Sequence, residues 1–168
     1  MEQNILYPKD FIKVSIIENL GKLIPKQNEH GLPYEAFILI AIAIEFIGAT
    51  EDDFDWHKER QGKPRFYNGL KLMGSEYYYH KEILYKKLRC GLAHVYAPVY
   101  GLGLGEIKHA TSHLLEFIDN NQNKYLCLQV EKFYHDLCQT SIRIIEKIDK
   151  MGYPMDHKIY KPFLAIPK

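Results

Sequence analysis

The chain has 168 residues, with 22 Lys+Arg against 21 Asp+Glu, 46% apolar residues and three Cys. That length and balance fit one compact domain over 1–168, and a net charge of +1 excludes bulk polybasic binding of nucleic acid while leaving room for a local basic patch. An odd Cys count without C-x-x-C argues against a disulfide framework and against a zinc ribbon.

The most apolar run, Ala36–Ile44, stops at Glu45. It is far shorter than the roughly 20 residues of a bilayer span. The opening MEQNILYPKD lacks the cationic start and apolar core of a signal peptide. A soluble, cytoplasmic chain with no membrane partner is expected. Thirteen Tyr against eight Phe and one Trp suggest half-buried rings at a core rim or an interface.

Asp10–Ile24 reads as a first helix, with Ile12, Ile16, Leu20 and Leu23 at helical spacing between Pro8 and Pro25. Tyr34–Ile47 is apolar nearly all round and predicts the central helix, with Gly48 as a left-handed cap just past it. Thr50 and Asp53 match a loose capping box for a short helix to about Arg60, broken by Gly62 and Pro64. Phe66–Met73 and Glu76–Cys90 follow as helices. The second has Tyr77, His80, Leu84 and Leu88 as its stripe and Gly91 to stop or bend it.

Tyr96–Gly105 is too rich in Gly and Pro for a helix. Its Gly101-x-Gly103-x-Gly105 lacks the Lys-Ser/Thr of a phosphate loop and reads as a flexible connection. His113–Ile118 and Tyr125–Val130 are β-prone runs around the turn composition Asp119–Lys124, which predicts a β-hairpin that Ile107–Ser112 could join. Glu131–Lys150 returns to helical period. The tail, about 153–168, carries Pro154, Pro162 and Pro167 among apolar residues and calls for a groove, in its own body or in a second subunit. The expected fold is mostly α: a helical bundle of about five or six helices with a small β-hairpin inserted before the last long helix.

The stretch Leu84-Tyr-Lys-Lys-Leu-Arg-Cys-Gly-Leu-Ala-His94 carries the chemistry of most interest. An Arg fork can grip two phosphate oxygens, and a His moves protons near neutral pH. Held together, Arg89 and His94 suit metal-free chemistry on a phosphodiester. On an uninterrupted α-helix they would stand roughly 140° apart at about 100° per residue, so a bend at Gly91 is needed to unite them. The dipole at a helix C-terminus favours an Arg there for purely structural reasons as well.

Arg89, four residues, then His94 resembles the R-x4–6-H signature of the HEPN superfamily (higher eukaryotes and prokaryotes nucleotide-binding domains), and LYKKLRCGLAH is especially similar to HEPN-like proteins of bacteria. The resemblance implies an all-α bundle and a homodimer whose two Arg/His pairs line one cleft. It also implies a metal-independent ribonuclease in which Arg89 stabilises the scissile phosphate and His94 transfers protons. Toxin or defence roles follow, with a protein partner such as an antitoxin. Other relatives are silent bundles that bind a nucleotide, RNA or a protein. The position after the Arg, usually polar in nuclease members, is Cys90 here, a weak hydrogen-bonding group.

Glu45, alone in its apolar helix, needs a partner, for which Arg89 is the natural candidate; the alternative is that it reaches solvent at the helix end. Lys58, Arg60, Lys63 and Arg65, with Lys81, Lys86 and Lys87, could contact phosphates, and Tyr77–Tyr79 and Tyr85 could stack on bases. The same residues also read as an ordinary mixed-charge surface balanced by Glu51, Asp52, Asp53 and Asp55. His109 and His113 form H-x-x-x-H without the companion Glu of a metal helix, and no cofactor or metal is expected.

Overall fold

The structure, a computed structural model, describes residues 3–24, 33–92, 101–106 and 113–167. These are mostly α-helical. Strand β1 (Gln3–Leu6) leads into α1 (Pro8–Phe11), where Pro8 takes the first helical position, whose N–H has no partner in any helix. The helix then widens into a π-helical stretch, Ile12–Asn19. Ile12, Ile16 and Leu20 point into the core.

Helix α2 (Pro33–Ala49) runs through the centre. Phe37, Ile40, Ile44 and Ile47 are fully buried, as its apolar pattern requires. Helix α3 (Gly62–Met73) crosses α2 at backbone contact. A Cβ on Gly48 would lie 1.8 Å from the Arg65 carbonyl oxygen, and one on Gly69 would lie 2.0 Å from that of Ile44. Gly48 is therefore a packing residue inside α2, not the cap beyond it that its position suggests.

The expected helix from Thr50 to Arg60 is a run of turns. Thr50 Oγ1 donates back to the Ile47 carbonyl at 2.6 Å, and Asp52 and Asp55 accept the N–H groups of Phe54 and His57 at 3.0 and 2.9 Å. These side-chain bonds offer the backbone a turn in place of a helix. Gly62 and Pro64, read as breakers, instead open α3, because Pro64 sits in the first turn where a backbone N–H has no acceptor.

Helix α4 (Ser75–Tyr79), the single turn α5 (Lys81–Ile83) and a second π-helical stretch, Leu84–Cys90, form one rod interrupted at His80. Gly91 does not end it: its φ and ψ of −59° and −55° are helical.

Strand β2 (Leu102–Gly105) occupies the Gly-rich segment expected to be a flexible connection. Strands β3 (Glu116–Ile118) and β4 (Lys124–Gln129) pair antiparallel, and β2 joins β4 in parallel, giving the order β2-β4-β3. Asp119 closes the β3–β4 turn by accepting from the backbones of Asn121 and Asn123, both at 2.8 Å. The expected extension at 107–112 lies outside the described residues. Helix α6 (Val130–Asp149) buries Phe133, Leu137, Ile144 and Ile148 on its inner face. The Phe37 and Phe133 rings, 6.3 Å apart, join it to α2.

The tail finds its groove on its own chain. After a 3-10 turn at Lys158–Tyr160, β5 (Leu164–Pro167) pairs antiparallel with β1, Leu6 opposite Leu164 and Gln3 opposite Pro167. Phe163 packs among Phe11, Phe46 and Trp56, with centroids 5.4, 5.6 and 5.7 Å away.

A polar chain threads the core between the rod, the sheet and α6. The Gln129 N–H donates to His113 Nδ1 at 3.0 Å. The protonated nitrogen of the ring is then Nε2, 2.8 Å from the Tyr77 hydroxyl, which in turn donates to Asp136 at 2.7 Å. Burial pushes His113 down to about 4 against the pull of Asp136, with Lys132 adding to the fall. His109 lies outside the described residues. No three His, Cys, Asp or Glu among the described residues are placed to hold a metal, and no described helix is long and apolar enough to cross a membrane.

Candidate functional site

Helix α2 and the rod bring Glu45 and Arg89 together. Arg89 Nε and Nη2 both stand 2.9 Å from Glu45 Oε2, which fixes the plane of the guanidinium. The two side chains retain 27% and 25% of their exposure, so the pair is shielded without being sealed. Burial works against the Arg89 charge, but the Glu45 carboxylate outweighs it and holds the guanidinium above its ordinary pKa. Space for that carboxylate comes from Gly62, where a Cβ would lie 3.1 Å from Glu45 Oε1. Gly62 opens α3, whose positive end favours an acid there.

Tyr85 lies one turn before Arg89 in the π-helical stretch. Burial, the Cys90 thiol and the Glu45 charge raise its hydroxyl above the ordinary value, while Arg89 pulls it down. Tyr85, Cys90, Arg89 and Glu45 thus form one cluster, and Cys90 supplies a partner for the Tyr85 hydroxyl. Cys90 itself is a half-buried free thiol. His94 lies outside the described residues.

Arg89 and Glu45 open on a cleft of about 240 Å³, walled by Ile42, Phe46, Ala49, Trp56, His57, Arg65 and Phe163. Sequence spacing points to none of Trp56, His57 or Phe163. Trp56 and His57 come from the turns after α2, and Phe163 arrives from the tail. Among the described residues His57 is the imidazole on this cleft. An apolar groove of similar volume adjoins it, sharing Ile42 and Phe46 and lined also by Phe11, Ile16, Leu23 and Leu39. Leu39 and Ile42 are 41% and 52% exposed.

The basic residues separate into two groups. Arg65 is removed from the phosphate-contacting set: its side chain is 7% exposed and saturated from inside. It donates to Asp52 Oδ2 at 2.8 Å, to Asp52 Oδ1 at 3.3 Å, and to the carbonyls of Trp56 and Asp55 at 2.7 and 2.6 Å. Lys158 Nζ reaches Asp52 and the Phe54 carbonyl, both at 2.5 Å. Burial raises the Asp52 carboxyl, yet Arg65 and Lys158 together hold it below its ordinary value. Lys58 and Arg60 are exposed on the turns, Arg60 at a left-handed φ of 61°. Lys63 and Lys86 are exposed and share Glu82, at 3.5 and 3.8 Å. Lys87 Nζ lies against Gly101, the residue before β2.

No protein-family model matches the chain, and no curated protein or solved structure is significantly similar to it.

Proposed function

We propose that the chain is a HEPN-like helical bundle, with its β-hairpin inserted before α6, that acts as a metal-independent endoribonuclease. Arg89 and His94 are its catalytic pair, and a homodimer brings two such pairs to one cleft. The observation that carries this reading is the oriented, partly exposed Arg89–Glu45 pair lining a cleft. An Arg held in plane by one carboxylate can offer a preorganised charge to a phosphodiester. His94 takes the proton of a ribose 2′-hydroxyl, the 2′-oxygen bonds to phosphorus, and the bond to the 5′-oxygen breaks as that oxygen gains a proton. The products are a 2′,3′-cyclic phosphate and a 5′-hydroxyl. Support for the dimer is the exposed apolar groove that continues from the cleft through Ile42 and Phe46.

A second reading keeps the same bundle as a silent binder of a nucleotide, RNA or a protein partner such as an antitoxin. It is favoured by Cys90 beside Arg89, since the thiol engages Tyr85 and is a poor hydrogen-bonding stand-in for an amide or carboxylate. The test is cleavage of RNA in the presence of a chelator. Arg89→Ala is expected to lower the rate by about 10²–10³, as for other charge-stabilising donors. His94→Ala is expected to abolish cyclic-phosphate ends. Equal background cleavage in wild type and both variants leaves only the binding reading. Cleavage that survives His94→Ala but not His57→Ala moves proton transfer to the imidazole already on the cleft.

A further inference from the structure

The sheet β2-β4-β3 ends on β3, whose outer edge carries no strand among the described residues. All three residues of β3 are exposed. Leu115, just before it, Phe117 and Ile118 are 58%, 44% and 56% exposed. This is a run of large apolar side chains where an edge usually carries charge, Pro or a cover. The backbone shows which groups face outward. The Cys127 N–H donates to the Leu115 carbonyl and the Asp119 N–H to that of Asn123, both at 2.9 Å. An antiparallel ladder alternates, so Phe117, midway between them and opposite Tyr125, also bonds to β4. The N–H and C=O groups of Glu116 and Ile118 therefore point away from the sheet. The side chains divide by face. Phe117 stacks on Tyr125 with centroids 5.1 Å apart and rings 17° from parallel. Glu116 and Ile118 stand on the other face, opposite Leu126 and Lys124.

We propose that this edge pairs antiparallel with the same edge of a second copy, about a twofold axis at Phe117, to make one continuous sheet β2-β4-β3-β3-β4-β2. The interface lies on the sheet, is independent of the reading of Arg89, and is additional to a dimer at the cleft. A twofold axis can pass through any residue of β3. An axis at Glu116 sets the two Glu116 carboxylates opposite each other, a repulsive pair. An axis at Ile118 sets Glu116 against Asn120 in the turn and wastes its outward groups. The axis at Phe117 uses every outward group: Glu116 and the second copy's Ile118 exchange both hydrogen bonds, and symmetry repeats them. It sets Phe117 against Phe117 at the non-hydrogen-bonded position, where Cα atoms approach to about 4.5 Å. The Tyr125–Phe117 stack then continues across the axis into the same stack of the other copy. On the opposite face the order across the joint is Leu126, Glu116, Ile118, Lys124. The acid of each copy thus faces the base of the other across one isoleucine, about 10 Å away at about 4.8 Å per strand, a span two long side chains can close. A foreign strand would satisfy the backbone; a second copy supplies the ring stack and the charge match as well. The three apolar side chains expose roughly 300 Å² per copy, against about 800 Å² per partner in a standard interface. The pairing is therefore expected at micromolar protein and not at nanomolar.

The experiment is sedimentation velocity of the purified chain in reductant, from low to high micromolar, followed by oxidative cross-linking. The mass of wild type is expected to rise with concentration. Ile118→Pro removes only an outward N–H, a place where an edge strand tolerates Pro, and is expected to weaken that association about tenfold or more. Phe117→Asp sets two carboxylates together at the axis and is expected to abolish it. Ile42→Glu, in the groove beside the cleft, separates the two interfaces: it should remove a cleft dimer and leave the β3 association in place. In a Cys127→Ala background, Phe117→Cys is expected to form a disulfide-linked dimer on mild oxidation, and Glu116→Cys to form none, because Ile118 is its opposite residue. Thermal melting checks that each variant keeps the parent's fold, and the cysteine pair decides the matter where Ile118→Pro does not. A single-chain mass at every concentration overturns the proposal. So do β3 variants that associate like wild type, or equal cross-linking through Phe117→Cys and Glu116→Cys; each leaves the edge to a strand of another protein or to solvent. Association lost in Ile42→Glu but kept in the β3 variants overturns the sheet pairing alone. The converse overturns the cleft dimer alone.

Discussion

Arg65 and Arg89 border the same cleft, and each faces a carboxylate, but they have different roles. Arg65 meets two oxygens of Asp52 and two backbone carbonyls at 7% exposure, and Lys158 reinforces the same acid. Arg89 meets one oxygen of Glu45 at 27% exposure. The first arrangement ties the turns after α2 to α3 and to the tail. The second orients a charge and leaves it accessible. Burial and saturation, not residue type, separate a structural cation from one able to act on a ligand.

The largest test of this contrast is Arg65→Ala. It leaves Asp52 with only Lys158 and the Phe54 N–H in a nearly dry site, and removing one partner of a buried pair costs about 3–5 kcal/mol. Denaturant unfolding should show that loss; a shift no larger than that of an exposed Arg would remove Arg65 from the framework. Next comes acid. The folded pKa of His113 is depressed to about 4 against an unfolded value near 6.5. As pH falls from about 6.5 towards 4, the unfolded chain takes a proton that the folded chain refuses. Stability therefore falls across that window and the His113 contribution levels off below it. The expected loss is roughly 3 kcal/mol, read as the difference in pH dependence between wild type and His113→Gln; identical profiles would show that the ring is not held neutral. The smallest stability effect is that of Glu45→Gln. Because its pair is partly solvated, the loss should stay below about 1 kcal/mol, while RNA cleavage or binding at Arg89 drops. A large stability loss with function intact would place the Glu45–Arg89 pair with Arg65, in the framework.

The parts of this architecture written in local pattern are readable before any coordinates. The all-round apolar run of α2, the one-sided stripe of α6 and the Asp-Asn turn at Asp119–Asn123 are of this kind. Glu45 stood out because a lone charge in such a helix demands a partner. The rest depends on distant contacts. Arg65 sits in a run of basic residues and looks like surface; the α2–α3 crossing at Gly48 and Gly69 is what takes it inside. The segment from Thr50 to Arg60 carries a capping pattern, yet its Asp52 and Asp55 side chains bind nearby N–H groups and hold turns. The π-helical winding around Arg89 has no one-residue marker, and Phe163 reaches the cleft only because β5 finds β1.

That last pairing has a consequence for the order of assembly. The β1–β5 ribbon joins strands at opposite ends of the sequence, so it closes the longest loop the described chain contains and carries the largest entropic penalty of any contact. Phe163, one residue before β5, can seal its side of the cleft only after that closure. A chain still being synthesised can have α2, α3 and the rod folded and Arg89 already paired with Glu45, yet it lacks a finished cleft until Phe163 and β5 have emerged.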